Sequence, residues 1–215
     1  MLSADSIVKL HDQCTRAWHQ TTGSDAPPDE KAAPGAKRDA GKRWLDLVAD
    51  QHRANFDLWH IEDEARAPGA SDAQMAAVKR RIDGTNQKRN DLAEQLDEML
   101  LAWLEERKLP NPNAAVHSES PGLIIDRLSI LALKIYHTRE EAERTGAPQG
   151  HADRNRERLS ILEEQRSDLA ACLDELWNET LAGTRRFKLY RQLKMYNDPA
   201  LNPAIYGKTG SEPRR

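Results

Sequence analysis

The strongest constraint on the fold of this sequence is an internal repeat with an offset of 77 residues. Residues 58–104 align with 135–181 without a gap, and 14 of the 47 aligned positions are identical. The identical pairs are His60/His137, Glu64/Glu141, Ala65/Ala142, Gly69/Gly146, Ala70/Ala147, Arg81/Arg158, Arg89/Arg166, Asp91/Asp168, Leu92/Leu169, Ala93/Ala170, Leu96/Leu173, Asp97/Asp174, Glu98/Glu175 and Leu104/Leu181. Each copy has apolar residues at helical spacing on both sides of a glycine, which predicts a helical hairpin. Because a single hairpin cannot bury its apolar stripe, the two copies predict a four-helix bundle with a pseudo-twofold axis.

The repeat belongs to a larger helical unit, which we place at residues 43–206. Residues 1–20 predict an N-terminal helix, and the Pro- and Gly-rich residues 21–42 predict a loop. Residues 184–196 predict a short C-terminal helix, and 207–215 a disordered tail. Because strand-like alternation is absent, the predicted fold class is all-α.

Composition excludes several classes of protein. The chain has 32 Lys and Arg against 35 Asp and Glu, and a net charge of −3 argues against a nucleic-acid or anionic-membrane binder. Only Cys14 and Cys172 are present, so a disulfide scaffold and a four-cysteine zinc site are excluded. Without an apolar run of spanning length or an apolar leader, we expect a cytoplasmic protein that is not inserted in a membrane.

Two arginines interrupt the apolar stripe of the repeat. Arg89 and Arg166 occupy equivalent seam positions, so we expect them to face each other or a shared cavity near the pseudo-twofold axis. An unpaired buried charge costs several kcal/mol, so each needs a carboxylate or an anionic ligand. Asn86 and Asn90 lie on one flank of the first seam and are further candidates for substrate binding.

Histidines and carboxylates form the candidate catalytic and metal site. His60 and His137 each precede a glutamate by four residues and share a helix face with it. We expect a histidine to act as the general base on a water, beside Mg or Mn held by carboxylates. The candidate metal ligands are Glu64, Glu141, Asp97, Asp174, Asp63 and Glu140. The alternative interpretation is a buried salt-bridge network without a ligand.

Two surfaces of the predicted bundle are candidates for binding a ligand or a partner. The segment with Lys188, Tyr190 and Arg191 interleaves basic and aromatic residues, so it predicts either a helix packed on the bundle or an electropositive lid that binds an anionic substrate. The repeated pairs Asp91/Asp168 and Glu98/Glu175 are predicted to face outward, toward water or an added helix. In the alternative of a non-catalytic module described below, these faces provide the docking surface.

The acidic residues also form short helical motifs. These are His60-x-x-Asp63-Glu64, Glu94-x-x-Asp97 and His137-x-x-Glu140-Glu141. The motifs partly resemble the Glu-Glu-x-x-Glu and Glu-x-x-Asp motifs of the all-alpha NTP pyrophosphatases, with histidine in place of the first acid. Ala171 replaces the equivalent of Glu94 in the second hairpin. The resemblance implies metal-dependent hydrolysis of a phosphate ester or pyrophosphate.

Several longer strings resemble the bacterial family known as domain of unknown function 4254. They are Leu58 to Asp63, Lys79 to Gln87, Ser120-Pro121, Ile125 to His137, Lys194 to Asp198 and Leu201 to Pro203. The resemblance spans 43–206, implies a helical fold and transfers no catalytic residue. It also implies a partnership with a glycosyltransferase of envelope glycans.

Together these features predict a divalent-metal-assisted enzyme or binder of a phosphorylated small molecule, of nucleotide or nucleotide-sugar type. The alternative is a non-catalytic helical accessory module for a glycosyltransferase or another envelope-glycan enzyme. Either function is compatible with an oligomer.

Overall fold

The computed structural model describes residues 2–21 and 40–192. Within these ranges the chain forms five helices and two short strands: α1 (Ala4–Thr21), α2 (Ala40–Ala65), α3 (Asp72–Glu105), β1 (Ala115–Val116), α4 (Pro121–Glu143), α5 (His151–Leu181) and β2 (Arg185–Arg186). The all-α class is confirmed. Helix α2 begins at Ala40, two residues before the expected end of the loop at 42. The rest of that loop, from 22 to 39, and the tail at 207–215 lie outside the described residues.

Local sequence explains where two of the helices begin. The Ser71 hydroxyl accepts a hydrogen bond from the Gln74 backbone N–H, and the Gln74 side chain accepts one from the Ser71 N–H at 2.8 Å, which is a capping box. Helix α4 follows Ser120 with Pro121 at its first position, where proline loses no helical hydrogen bond.

The helices pair as two hairpins, α2 with α3 and α4 with α5. Gly69 and Gly146, at the two turns, have φ angles of 85° and 72°, which L side chains rarely adopt. The predicted hairpins are therefore present. Exact superposition of the two copies, and with it the duplicated four-helix bundle, stays a prediction.

Helices α2 and α4 run side by side in the same direction. His52 Nδ1 lies 2.7 Å from Ser129 Oγ, and the rings of His60 and His137 are 6.1 Å apart. In each pair the two residues are 77 positions apart, so the contacts recur at two levels with the same offset. Antiparallel helices would not repeat such an offset.

Helix α1 runs parallel to α2 and α4 and packs beside them. His11 stacks on His52 at 4.5 Å between ring centroids, and His19 meets His60 at 5.3 Å. Both contacts have an offset of 41 residues, so α1 runs in the same direction as α2. Helix α1 also contacts α4 and α5. The predicted N-terminal helix is therefore an integral part of the bundle.

Equivalent aspartates of the two hairpins bind the beginnings of α4 and α1. Asp97 Oδ1 accepts a hydrogen bond from the Gly122 N–H at 2.7 Å, and Asp174 Oδ1 accepts one from the Ala4 N–H at 2.9 Å. The first N–H groups of a helix have no partner within it, so these bonds satisfy donors that would otherwise be unpaired. The main core lies between these helices; its fully buried leucines and isoleucines include Ile7, Leu96, Leu100, Leu104, Ile124, Ile125, Leu128 and Leu173.

The predicted C-terminal helix from Thr184 to Tyr196 is wrong for its described part. Strand β2 pairs in parallel with β1, and residues 187–192 are irregular. The His117 N–H donates to the Arg186 carbonyl at 2.7 Å, so that carbonyl bonds to the chain before α4 instead of to a helical turn. Phe187 is buried in the core and fixes this path. Residues 193–196 lie outside the described part of the chain.

None of the helices in residues 2–21 and 40–192 combines the length and the apolar character that crossing a membrane requires.

Candidate metal centre

Three histidines meet where the three parallel helices lie side by side. His19 is in the last turn of α1, His60 is on α2 and His137 is on α4. One ring nitrogen from each lies within 4.8 Å of the other two. In residues 2–21 and 40–192, no other group of three histidine, cysteine or carboxylate side chains brings its ligand atoms that close. We call these residues the histidine cluster.

Hydrogen bonds orient two of the three rings. His19 Nδ1 lies 2.8 Å from the Thr15 carbonyl oxygen, which only accepts, so Nδ1 carries the proton. His137 Nδ1 lies 2.9 Å from Glu140 Oε2. The Nε2 atoms of His60 and His137 are buried without a hydrogen-bond partner. Metal-binding histidines have this arrangement, in which one ring nitrogen donates to an oxygen and the other binds the metal.

Burial favours the neutral form of two of the three histidines, His60 and His137. It lowers the pKa of His60, and the nearby His19 and His137 lower it further. Burial also lowers the pKa of His137, against the opposing effect of its hydrogen bond to Glu140. The nearby Asp63 carboxylate opposes the effect of burial by raising the pKa of both His60 and His137. Only neutral imidazole binds a metal ion, so these two ligands need little deprotonation to receive one.

Aromatic side chains hold the rings in place. Trp59 stacks on His137 with centroids 4.8 Å apart and planes 10° apart. Tyr136 stacks on His19 at 4.3 Å, and Phe56 meets His60 edge-on at 4.5 Å. Such contacts limit ring rotation, which pre-organises the nitrogens.

The structure does not gather the six predicted carboxylate ligands. Glu64 binds Arg81 at 2.5 and 3.1 Å, and Glu141 binds His151 at 2.8 Å. Asp97 and Asp174 bind helix N-termini, as described above. Of the six, Glu140 binds a cluster histidine, and Asp63 acts on two of them electrostatically.

Asp97 is far from the histidine cluster. It contacts Gly122 near the beginning of α4, whereas His137 is fifteen residues further along that helix, about 22 Å at 1.5 Å per residue. Burial raises the pKa of Asp97 to about 6, although hydrogen bonds from Ser120 and Gly122 oppose the shift. Asp97 therefore belongs to the helix junction and not to the cluster.

Each seam arginine has its own carboxylate partner. Arg89 Nε lies 3.6 Å from Asp126 Oδ1 on α4, and Arg166 Nη1 lies 2.9 and 3.1 Å from the two oxygens of Asp12 on α1. The expected carboxylate pairing is present. The partner of the second arginine comes from α1, outside the repeat. The expectation that the two arginines face each other or a shared cavity stays a prediction.

Four of the remaining predicted substrate-binding residues, Asn90, Lys188, Tyr190 and Arg191, lie away from the cluster. Lys188 and Tyr190 line a small cavity with Asn90 beside Asp97, and Arg191 binds Glu94 and Glu98 of α3 at 3.3 and 2.6 Å. Asn86 is half-buried on α3. The proposed lid is therefore an extended segment over α3, at the other end of α4 from the histidines.

The predicted docking faces are exposed, as expected. Asp91, Asp168, Glu98 and Glu175 are all exposed on α3 and α5. Asp91 accepts a hydrogen bond from Gln87 at 2.6 Å, and Glu98 holds Arg191. Their role in binding a glycosyltransferase stays a prediction.

Sequence reasoning missed His19 because α1 lies outside the 77-residue repeat. One signal was available: His11 and His19, His52 and His60, and Ser129 and His137 are all eight residues apart. Equal spacing on three helices is what three parallel helices in contact at two levels require.

A family model described as "Protein of unknown function (DUF4254)" matches residues 45–189. The match covers more than half of the chain and includes His60 and His137, whereas His19 precedes it. No significant match occurs among curated proteins or solved structures.

Proposed function

Because the chain belongs to the DUF4254 family, whose description assigns no activity, we propose its function from the histidine cluster: a zinc-type metal-dependent hydrolase of a phosphorylated small molecule. The observation that carries the proposal is the convergence of three imidazole nitrogens within 4.8 Å of one another. The two buried Nε2 atoms without hydrogen-bond partners support it, because an unpaired buried polar atom is costly unless a ligand uses it.

The donor atoms favour one group of metals. Imidazole nitrogen suits zinc, copper, iron and nickel, whereas magnesium and manganese prefer oxygen ligands. The cluster thus favours a zinc-type ion over the Mg or Mn that a carboxylate site would hold. Three protein ligands leave a fourth position open, and an ion bound in this way supplies a Lewis acid that activates water or polarises a phosphoryl oxygen.

The surrounding residues take supporting roles in this proposal. His60 and His137 act as ligands with His19, in place of the general-base role expected from sequence. Glu140 and the Thr15 carbonyl orient two ligand rings. Asp63, which acts electrostatically on His60 and His137, accepts the proton of the attacking water.

Metal binding tests the proposal directly. We expect the chelator-treated protein to bind one equivalent of Zn²⁺, and Co²⁺ to give the absorption bands of a tetrahedral nitrogen site. His19→Ala, His60→Ala and His137→Ala should each weaken Zn²⁺ binding at least about 100-fold, because each removes a ligand. Zn²⁺ at 100 times its Kd should raise the free energy of unfolding by about 2.7 kcal/mol.

His117→Ala is the matched control, because its Nδ1 bonds to the Glu119 backbone in the loop before α4. This variant should bind Zn²⁺ like the parent. Zn²⁺-loaded protein should hydrolyse 4-nitrophenyl phosphate, and Asp63→Asn should lower kcat without loss of bound zinc. Failure of the parent to bind Zn²⁺ or Co²⁺ overturns the metal site; binding without turnover of phosphate esters overturns the hydrolase.

A further inference from the structure

A groove adjoins the histidine cluster and has a volume of about 490 Å³. Its walls come from α2, α3 and α4. Leu58, Ile130 and Leu133 form an apolar wall, and Trp59 lies beside them. The polar lining is Asn55, Glu62, Asp63, Arg66 and Arg89.

The groove contains a guanidinium with spare hydrogen-bonding capacity. Arg89 Nε is buried and has no hydrogen-bond partner. The nearest carboxylate oxygen, Asp126 Oδ1, is 3.6 Å away and already accepts hydrogen bonds from Gln51 and Asn55 at 2.5 and 2.9 Å. Asp126 therefore compensates the charge of Arg89 without using its donors. By contrast, Arg166 makes two hydrogen bonds to its aspartate.

The acidic residues of the groove are already engaged. Arg66 lies 3.3 Å from Glu62 and 3.4 Å from Asp63, and all three side chains are well exposed. Exposed pairs at these distances are weak, so Arg66 can turn toward an anion at little cost. The cation that needs an acceptor is Arg89, whose Nε is buried without a partner.

The groove and the cluster share a wall. The Trp59 indole lines the groove and also stacks on His137. Asp63 lines the groove and acts electrostatically on both His60 and His137. A small molecule in the groove thus lies next to the proposed metal ion.

We infer that this groove binds a small organic phosphate with a planar apolar group, with the phosphate on Arg89 and Arg66 and the planar group against Trp59 and the apolar wall. Arginine donates in a fork that matches two phosphate oxygens, which satisfies the unused donors of Arg89. The inference rests on the proposed function, because it names the substrate class of the same centre.

Phenylphosphonate, which resists hydrolysis, tests the inference by calorimetric titration. We expect it to bind the parent with or without Zn²⁺, and inorganic phosphate to bind at least about 10-fold more weakly, because the apolar wall then contributes nothing. Arg89→Gln should weaken phenylphosphonate binding at least about 10-fold. Arg66→Gln should weaken it several-fold and, being exposed, leaves the fold unchanged.

Arg156→Gln is the control for charge, because Arg156 is exposed and pairs with Asp153 on α5. This variant should bind phenylphosphonate like the parent. If Arg89→Gln unfolds, Arg89→Lys keeps the charge but loses the fork and should still weaken binding. No binding to the parent, or equal losses in Arg66→Gln and Arg156→Gln, overturns the inference.

His19→Ala separates this inference from the proposed function. The variant lacks a metal ligand but keeps the groove residues, so it should bind phenylphosphonate as the metal-free parent does. If Zn²⁺ binding fails while phenylphosphonate binding depends on Arg89, the groove stands and the proposed hydrolase falls. If Zn²⁺ binds and phenylphosphonate does not, the groove assignment falls and the metal centre stands.

Discussion

At the residue scale, the absence of a Cβ atom at Gly122 sets how closely α3 and α4 approach. A Cβ atom there would lie 2.3 Å from the Ala93 carbonyl oxygen and 2.9 Å from the Asp97 carboxyl group. The backbone carbonyl of α3 cannot move aside without shifting the helix. Glycine is therefore required at Gly122 for a packing reason, although the backbone there is helical.

Gly122→Ala should accordingly lower the free energy of unfolding by about 1–3 kcal/mol, as overpacking does. Gly84→Ala is the matched control, because Gly84 lies within α3 and a Cβ there meets no heavy atom within 4 Å. That control should raise stability by about 0.5–1 kcal/mol, since alanine favours the helix. Urea unfolding at pH 7.5 measures both; equal effects of the two variants would disprove the close-approach argument.

At the element scale, α1 is the element on which the histidine cluster depends. It provides His19, and two contacts to α5 hold it: the Ala4 N–H to Asp174, and Asp12 to Arg166. Without α1, two histidines would remain, and zinc sites normally have at least three protein ligands.

Asp174→Ala should lower the free energy of unfolding by about 1–2 kcal/mol, because the first N–H of α1 loses a charged acceptor. The same variant should weaken Zn²⁺ binding, since a less firmly held α1 positions His19 less well. Asp168→Ala, an exposed change on the same helix, should alter stability by at most about 0.5 kcal/mol. Urea unfolding and Zn²⁺ titration of both variants check this, and indistinguishable variants would count against the role of Asp174.

At the scale of the whole molecule, buried histidines make stability depend on pH. His11 is fully buried, and burial, the neighbouring His52 and Arg166 all lower its pKa. Burial lowers the pKa of His52 to about 3, and its ring nitrogens lie within hydrogen-bond distance of Thr15 and Ser129. In the unfolded chain both histidines bind protons near pH 6.5. The stability that the two neutral histidines contribute is therefore fully present above pH 6.5 and is lost as the pH falls toward 3.

Each of these histidines should cost about 1.4 kcal/mol per pH unit below 6.5, or about 4 kcal/mol for both at pH 5. Asp97 acts in the opposite direction, because its pKa is raised to about 6. The stability that its protonated form contributes is lost as the pH rises through 6, so lowering the pH to 5 restores about 1.4 kcal/mol of the free energy of unfolding. These three groups together should lower the free energy of unfolding by about 2–3 kcal/mol between pH 7.5 and pH 5. Urea midpoints across this range measure it.

His11→Phe removes one histidine contribution while keeping a ring against His52. This variant should lose about 2 kcal/mol less than the parent over the same pH range. An unchanged pH dependence would show that His11 is not the buried neutral group.

The sequence by itself determined the hairpins and much of their local detail. The 77-residue offset predicted both hairpins, the glycines marked their turns, and Ser71 and Ser120 marked two helix beginnings. These features depend on periodicity and on the unsatisfied groups of helix ends, which are local properties. The sequence also identifies His60 and His137 as candidates, because the repeat places them at equivalent positions.

Only the tertiary structure decided which of these side chains meet. Periodicity tells which face of a helix is apolar, but not which helix lies against that face or at what axial level. Helix α1 lies outside the repeat, so nothing in the offset placed His19 beside His60 and His137, or Asp12 beside Arg166. The same freedom separated Asp97 from the histidines by most of the length of α4. Parallel packing of α1, α2 and α4 brought three nitrogens from distant positions in the chain to one level.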